Sequence, residues 1–306
     1  MATTASTQDE WTIHALNIHG VFFERRCATL VADTTGWRVL ATNYPVEFPP
    51  PNGPWRGKES CLDIWARRDS DRQLVVDALI ECKKANPDFV NWVFFPKADC
   101  PAPSPFSFAR ADNKSKEEGS DSWSTQISLS RGTTNISIAN DAREVRGDYT
   151  KYQGNNKTKT SNAAIQEAAY QVASGTRAIV HEESALLDKA RASPHHPSPP
   201  WSAKVYIPLI VTTAQLFLVD FKSQSVKLDT GEIDLDDAAL IPVKSILYEY
   251  ASPKHLQHAP ADPLKTLQTG NSEVFSRMHI FVVHSEALSG LLGELFANES
   301  EHKSDG

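Results

Sequence analysis

Asp63, Glu81 and Lys83 are the side chains whose types and spacing could do chemistry together in this 306-residue chain. Glu81 and Lys83 lie two apart in Gln73–Lys84 (QLVVDALIECKK), an apolar, β-branched run that reads as a strand. Side chains alternate across a strand, so Glu81 and Lys83 point to one face while Ile80 and Cys82 point to the other. Upstream, Cys61–Arg68 (CLDIWARR) reads as a second strand, and a hairpin around the polar turn Asp69–Arg72 sets Asp63 opposite Glu81. Two carboxylates and an ammonium then share one small surface. That set suits a hard divalent cation such as Mg²⁺, with Mn²⁺ as a substitute, because Mg²⁺ takes one or two protein carboxylates and fills its shell with water and substrate phosphate oxygens.

The elements that must position these groups follow from periodicity. Thr12–Asp33 spaces Leu16, Gly20, Phe23, Cys27, Leu30 and Val31 by threes and fours, predicting one amphipathic helix, with Glu24 on the border of its apolar stripe. Trp37–Phe48 reads as a strand ended by Pro49–Pro54 (PPPNGP), and Glu59 is a secondary acidic group just before Asp63. Asn86–Lys97 carries Phe89, Trp92, Phe94 and Phe95, for which core packing outweighs base stacking. Residues 98–160 read as an insertion. Within it, Arg143–Thr160 holds Arg143, Arg146, Lys151, Lys157 and Lys159 against Glu144 and Asp148, a basic stretch that runs into a helix N-terminus and could meet phosphate. That helix, Asn162 to about Lys189, is halted by a Pro-rich loop over 190–202, whose His195 and His196 lack a third ligand at metal-site spacing. Ala203–Phe221 predicts two strands with a turn near Thr212–Gln215, and Ser245–Ala251 and Arg277–His284 add two more. A short helix over Ser285–Ala297 is expected to be capped by Ser285, and residues 298–306 form a tail expected to be disordered.

Composition excludes several classes. The chain is long enough for one decorated domain spanning 1–306, and no window has the uninterrupted apolar length of a membrane span. The first residues, MATTASTQDEW, lack the basic and apolar regions of a secretory signal, which reads as cytoplasmic. Cys27, Cys61, Cys82 and Cys100 show no C-x-x-C pair and read as reduced, mostly buried thiols. A formal net charge of −7 argues against coating nucleic acid by bulk charge, yet leaves room for local recognition around a cation-filled pocket.

Helix, three strands, helix, strand, with Asp63 on the second strand and Glu81-Cys82-Lys83 on the third, resembles the core of the PD-(D/E)xK nuclease superfamily, in its restriction-endonuclease-like and RecB-like branches. The resemblance covers about Trp11–Phe95 and Asn162–Phe221 and adds Glu24 on the first helix and Gln166 and Tyr170 (IQEAAY) as the Q-x-x-x-Y pair. It implies an α/β fold with a mixed central sheet and Mg²⁺-dependent hydrolysis of phosphodiester bonds, most readily in DNA. Asp63 and Glu81 would hold the ion, the Cys82 carbonyl would complete its shell, Glu24 would reach a second ion, and Lys83 would orient water or steady developing charge. Restriction, anti-phage defence or repair are the settings implied, with an oligomer or partner subunit compatible. Two other readings stand beside it: an inactive nucleic-acid-binding or assembly module of the same fold, and an α/β interaction protein in which Glu81–Lys84 is only a charged strand end.

Overall fold

The computed structural model describes residues 7–46, 60–69, 74–97, 109–112, 136–146, 160–192, 195, 203–253 and 277–295. Among them an eleven-stranded mixed sheet is packed between helices on both faces. The first part of the chain supplies helices α1 (Thr7–Ile18) and α2 (Val21–Asp33), then the antiparallel meander β1 (Arg38–Val46), β2 (Ser60–Asp69) and β3 (Leu74–Lys83). After β4 (Asn91–Pro96), β5 (Ala109–Asp112) and β6 (Ile138–Val145) comes the long helix α3 (Ala163–Ala192). It leads into β7 (Ala203–Thr212), which lies parallel to β3 along ten residue pairs from Leu74↔Ala203 to Lys83↔Thr212. The chain continues through β8 (Gln215–Phe221), β9 (Ala238–Val243), β10 (Ser245–Ala251) and β11 (Arg277–His284) to the short helix α4 (Leu288–Glu294). The strand order is β1-β2-β3-β7-β11-β10-β6-β4-β8-β9, with β5 pairing β7 outside that path.

Alternation along β3 sorts the two cores. Val75 and Leu79 join the core beneath α3, whereas Val76, Ala78, Ile80 and Cys82 join the core beneath α2 and α4. On α3, Ile165, Ala168, Ala169, Val172, Ala173, Ile179 and Val180 form a buried stripe at helical spacing, and its alanines let the helix lie close to the sheet. Gly175 marks the closest approach: a Cβ there would sit 3.3 Å from Leu62 Cδ1, tighter than ordinary packing tolerates.

Several sequence expectations change. The single first helix is two, because Gly20 takes φ +78° and breaks the hydrogen-bonding run at His19–Gly20; Leu16 is consequently exposed and the buried stripe starts at Gly20. β5 and β6 come from the stretch read as an insertion, yet both are strands of the sheet, with β6 between β10 and β4. β9 was not expected. The final helical segment is capped by His284, whose Nδ1 accepts from Glu286 N, not by Ser285. Trp92 and Phe94 are buried core residues, as the packing reading of that stretch expects. The Pro49–Pro54 loop, Glu59, Cys100, Lys151, Lys157, Lys159, His196 and the tail 298–306 lie outside the described residues. No helix among the described residues is long and apolar enough to cross a membrane.

Candidate metal and phosphodiester site

The site forms where β2 parts from β3. Their ladder runs from Asp69↔Val75 to Ile64↔Ile80, a register that carries Asp63 to the level of Glu81. Beyond that point Asp63 replaces the ladder with its side chain: Cys82 N donates to Asp63 Oδ2 at 2.7 Å. The backbone is irregular there. Leu62 packs into the α3-side core and Ile64 into the opposite one, although residues two apart in a regular strand share a face. On the neighbouring strand the register is unchanged from Thr42↔Ile64 to Tyr44↔Leu62, and Asn43 between them has a left-handed φ of +50°, a region that asparagine tolerates better than most residues. The irregularity falls at the level where the Asp63 carboxylate meets Cys82 N.

Glu81 is only 4% exposed, and its Oε2 has no hydrogen-bond partner among the described residues. Burial, together with the nearby charges of Asp63, Glu24 and Glu167, raises its pKa to about 9, against the opposing pull of Lys83. Asp63 is raised to about 6, chiefly by burial, with the Cys82 N–H holding it down, Glu24 pushing it up and Lys83 pulling it down. Glu24, in the first turn of α2, is near enough for its charge to push up both carboxyls. Lys83 reaches outward and donates from Nζ to Glu167 Oε2 at 3.0 Å. Lys84 donates to the Asn17 carbonyl at 2.6 Å, fastening the end of α1 to this end of β3.

The other expected residues fare differently. Gln166 Nε2 donates to Tyr248 Oη at 2.8 Å, and Tyr170 packs against the α3-side core near Tyr250, so this pair is directed toward β10. It is Glu167, between them, that reaches the site through Lys83. A charged residue interrupting an otherwise apolar and alanine-rich turn was the available signal for it. The backbone group of Cys82 seen at the site is its N–H, while its thiol lies with that of Cys27 on the far face of β3. Arg143 is held by Asp141 and by the Ala142 carbonyl, and the Arg146 guanidinium sits 5.5 Å from the Phe89 ring centroid. The N-terminus of α3, expected to be open to phosphate, is occupied: Glu144 Oε1 accepts from Ala164 N at 2.7 Å and from Ile165 N at 3.4 Å.

No three His, Cys, Asp or Glu side chains among the described residues gather into a ready metal cage. The residues present do fit an ion that needs only two carboxylates. Glu81 offers a buried, unpartnered oxygen, and Asp63 has one oxygen engaged by Cys82 N and the other outside that bond. Compared with protein-family models, curated proteins and solved structures, the chain matches none.

Proposed function

We propose that this chain is a metal-dependent nuclease of the PD-(D/E)xK type, hydrolysing phosphodiester bonds of nucleic acid, with DNA the expected substrate. The observation that carries the reading is the buried, partnerless Glu81 oxygen beside Asp63, Glu24 and Lys83 at a strand fork. Burying Glu81 beside Asp63, with no hydrogen-bond partner for its Oε2 among the described residues, is unfavourable for the ionised pair and becomes favourable when a cation neutralises them. Supporting it, helix α2 is followed by β1, β2 and β3 and, after the intervening strands β4, β5 and β6, by α3 and β7, and β1, β2, β3 and β7 lie side by side in the sheet.

Mg²⁺, or Mn²⁺ in its place, would supply charge neutralisation and an acidified water at the phosphate. Asp63 and Glu81 are the residues to hold it. The hydrogen bond from Cys82 N fixes the Asp63 carboxylate, so little conformational freedom is lost when it binds. Glu24, from the opposite layer, adds negative charge that favours a second cation. Lys83, a compact charge on a flexible stem, can leave Glu167 and turn inward to orient the attacking water or meet charge developing on the phosphate. Glu167 keeps the ammonium at the mouth of the site until an anion competes for it.

The test is degradation of single- and double-stranded DNA and RNA by purified protein with and without Mg²⁺ or Mn²⁺, beside Asp63→Ala. Metal-dependent cleavage that disappears in the variant is expected. Cleavage by neither protein, together with no Mg²⁺ binding by calorimetry, would overturn the reading.

A further inference from the structure

The two edges of the sheet are built differently. At β1 the edge is guarded: Arg38 pairs with Asp69 at 2.9 Å, the register shifts between Val39 and Ala41, and Asn43 adopts its left-handed φ. At the other end β9 pairs, among the described residues, only with β8, in unbroken register from Leu216↔Val243 to Phe221↔Ala238. Its six residues, AALIPV, carry no charge, and exposed side chains stand on both of its faces, including Leu240 at 57% and Ile241 at 42%. A regular, uncharged edge of this kind is a template for another strand.

The flanking charges specify which strand. Asp236 and Asp237 lie in the short 3-10 turn Leu235–Asp237 that leads into β9, and Lys244 follows the strand, all exposed. When one edge pairs antiparallel with its own copy about a twofold axis, the groups facing the partner come from every second residue, so paired residue numbers must add to an even number. Centring the axis on Leu240 satisfies this and brings the acidic turn at Asp236 and Asp237 beside Lys244 of the second copy, twice by symmetry. Centring it on Ile241 instead sets Lys244 opposite Ala238, inside the strand and past the acidic turn. Pro242, lacking an N–H, lies opposite Ala238 of the second copy and limits the ladder to its short centre.

We propose that β9 is a homodimer interface, in which two copies pair antiparallel through Leu240 and join their sheets into one, with Asp236 and Lys244 closing both ends. The isologous pairing needs one surface only, and that surface is its own complement. It is independent of the nuclease reading.

Sedimentation velocity on the full chain across a range of concentrations should show a reversible dimer. Leu240→Lys, which places two like charges on the axis at an exposed position, should raise the dissociation constant by at least about tenfold with unchanged circular dichroism. Asp236→Lys and Lys244→Glu should each weaken self-association, because each creates a like-charge pair in its own homodimer. Mixing those two variants should restore a dimer, since the heterodimer has opposite charges at both ends. A wild type that remains monomeric, a Leu240→Lys dimer as tight as wild type, or a mixture no more associated than its components would each overturn the proposal.

Discussion

Asp77 and Glu81 stand four residues apart on the same face of β3, and their surroundings are opposite. Asp77 is fully buried and saturated: Arg67 Nε donates to Oδ1 at 2.8 Å, while Trp65 Nε1 at 2.8 Å, Arg67 Nη2 at 3.0 Å and Lys204 Nζ at 3.0 Å meet Oδ2. Lys204 also pairs with Glu183, which accepts from Tyr206 Oη at 2.9 Å, so every charge in that cluster has an opposite beside it. Glu81 is nearly as buried, but its charged neighbours are three carboxylates and one lysine. Burial with partners is a structural fastening under α3. Burial without them holds the carboxyl in its protonated form.

The largest effect should come from breaking the saturated cluster. Asp77→Ala removes the fully buried carboxylate shared by Lys204 and the part-buried Arg67, leaving Glu183 alone to face both, and should cost about 3 kcal/mol of stability, read by denaturant unfolding. Glu81→Gln should do the reverse for the metal-free protein. Glu81 keeps its proton to about pH 9 when folded and loses it near pH 4.3 when unfolded. Between those values folding takes up a proton, so this group's contribution to stability is full below about pH 4.3 and lost as pH rises toward 9. The glutamine variant should therefore show a flatter fall in stability across that window than wild type, while its Mg²⁺ affinity drops by at least about tenfold. An identical pH slope in the two proteins would mean that Glu81 is ionised without a cation. The same protonation predicts that Mg²⁺ binding releases protons at pH 7, with affinity increasing toward pH 9, which calorimetry in buffers of different ionisation enthalpy measures directly. The smallest effect belongs to Glu167→Gln, which frees Lys83 from a solvent-facing partner; kcat should change by less than about fivefold, as suits an exposed ion pair.

This contrast also marks how far the sequence could be read. Asp63, Glu81 and Lys83 were legible because strand alternation is a local rule, and a short hairpin turn confines the register between their strands. The Asp77 cluster was not, since an aspartate inside an apolar run says nothing of Lys204 and Glu183, which arrive from more than a hundred residues away. Gln166 and Tyr170 were carried over by resemblance, and the structure turns them to β10. The break at Gly20 was hidden because a glycine counts neither for nor against an apolar stripe until its φ is known. β9 was missed because Ala-Ala-Leu-Ile-Pro-Val alternates nothing: both of its faces are open, so burial imposes no pattern on it.

The parallel pairing of β3 with β7 has a consequence for the order in which the site matures. Asp63 and Glu81 are 18 positions apart (81 − 63) and meet within a local meander, whereas Glu81 and its β7 neighbour Ile210 are 129 apart (210 − 81). Closing that longer loop is a late and entropically costly event in folding. During synthesis, the acidic pair can therefore come together before the strand that walls it in has left the ribosome. Until β7 is in place beside Glu81, that carboxyl is expected to stay wet and to ionise near its ordinary pKa. The chain acquires its fork early and the burial of Glu81 only when β7 zips along β3.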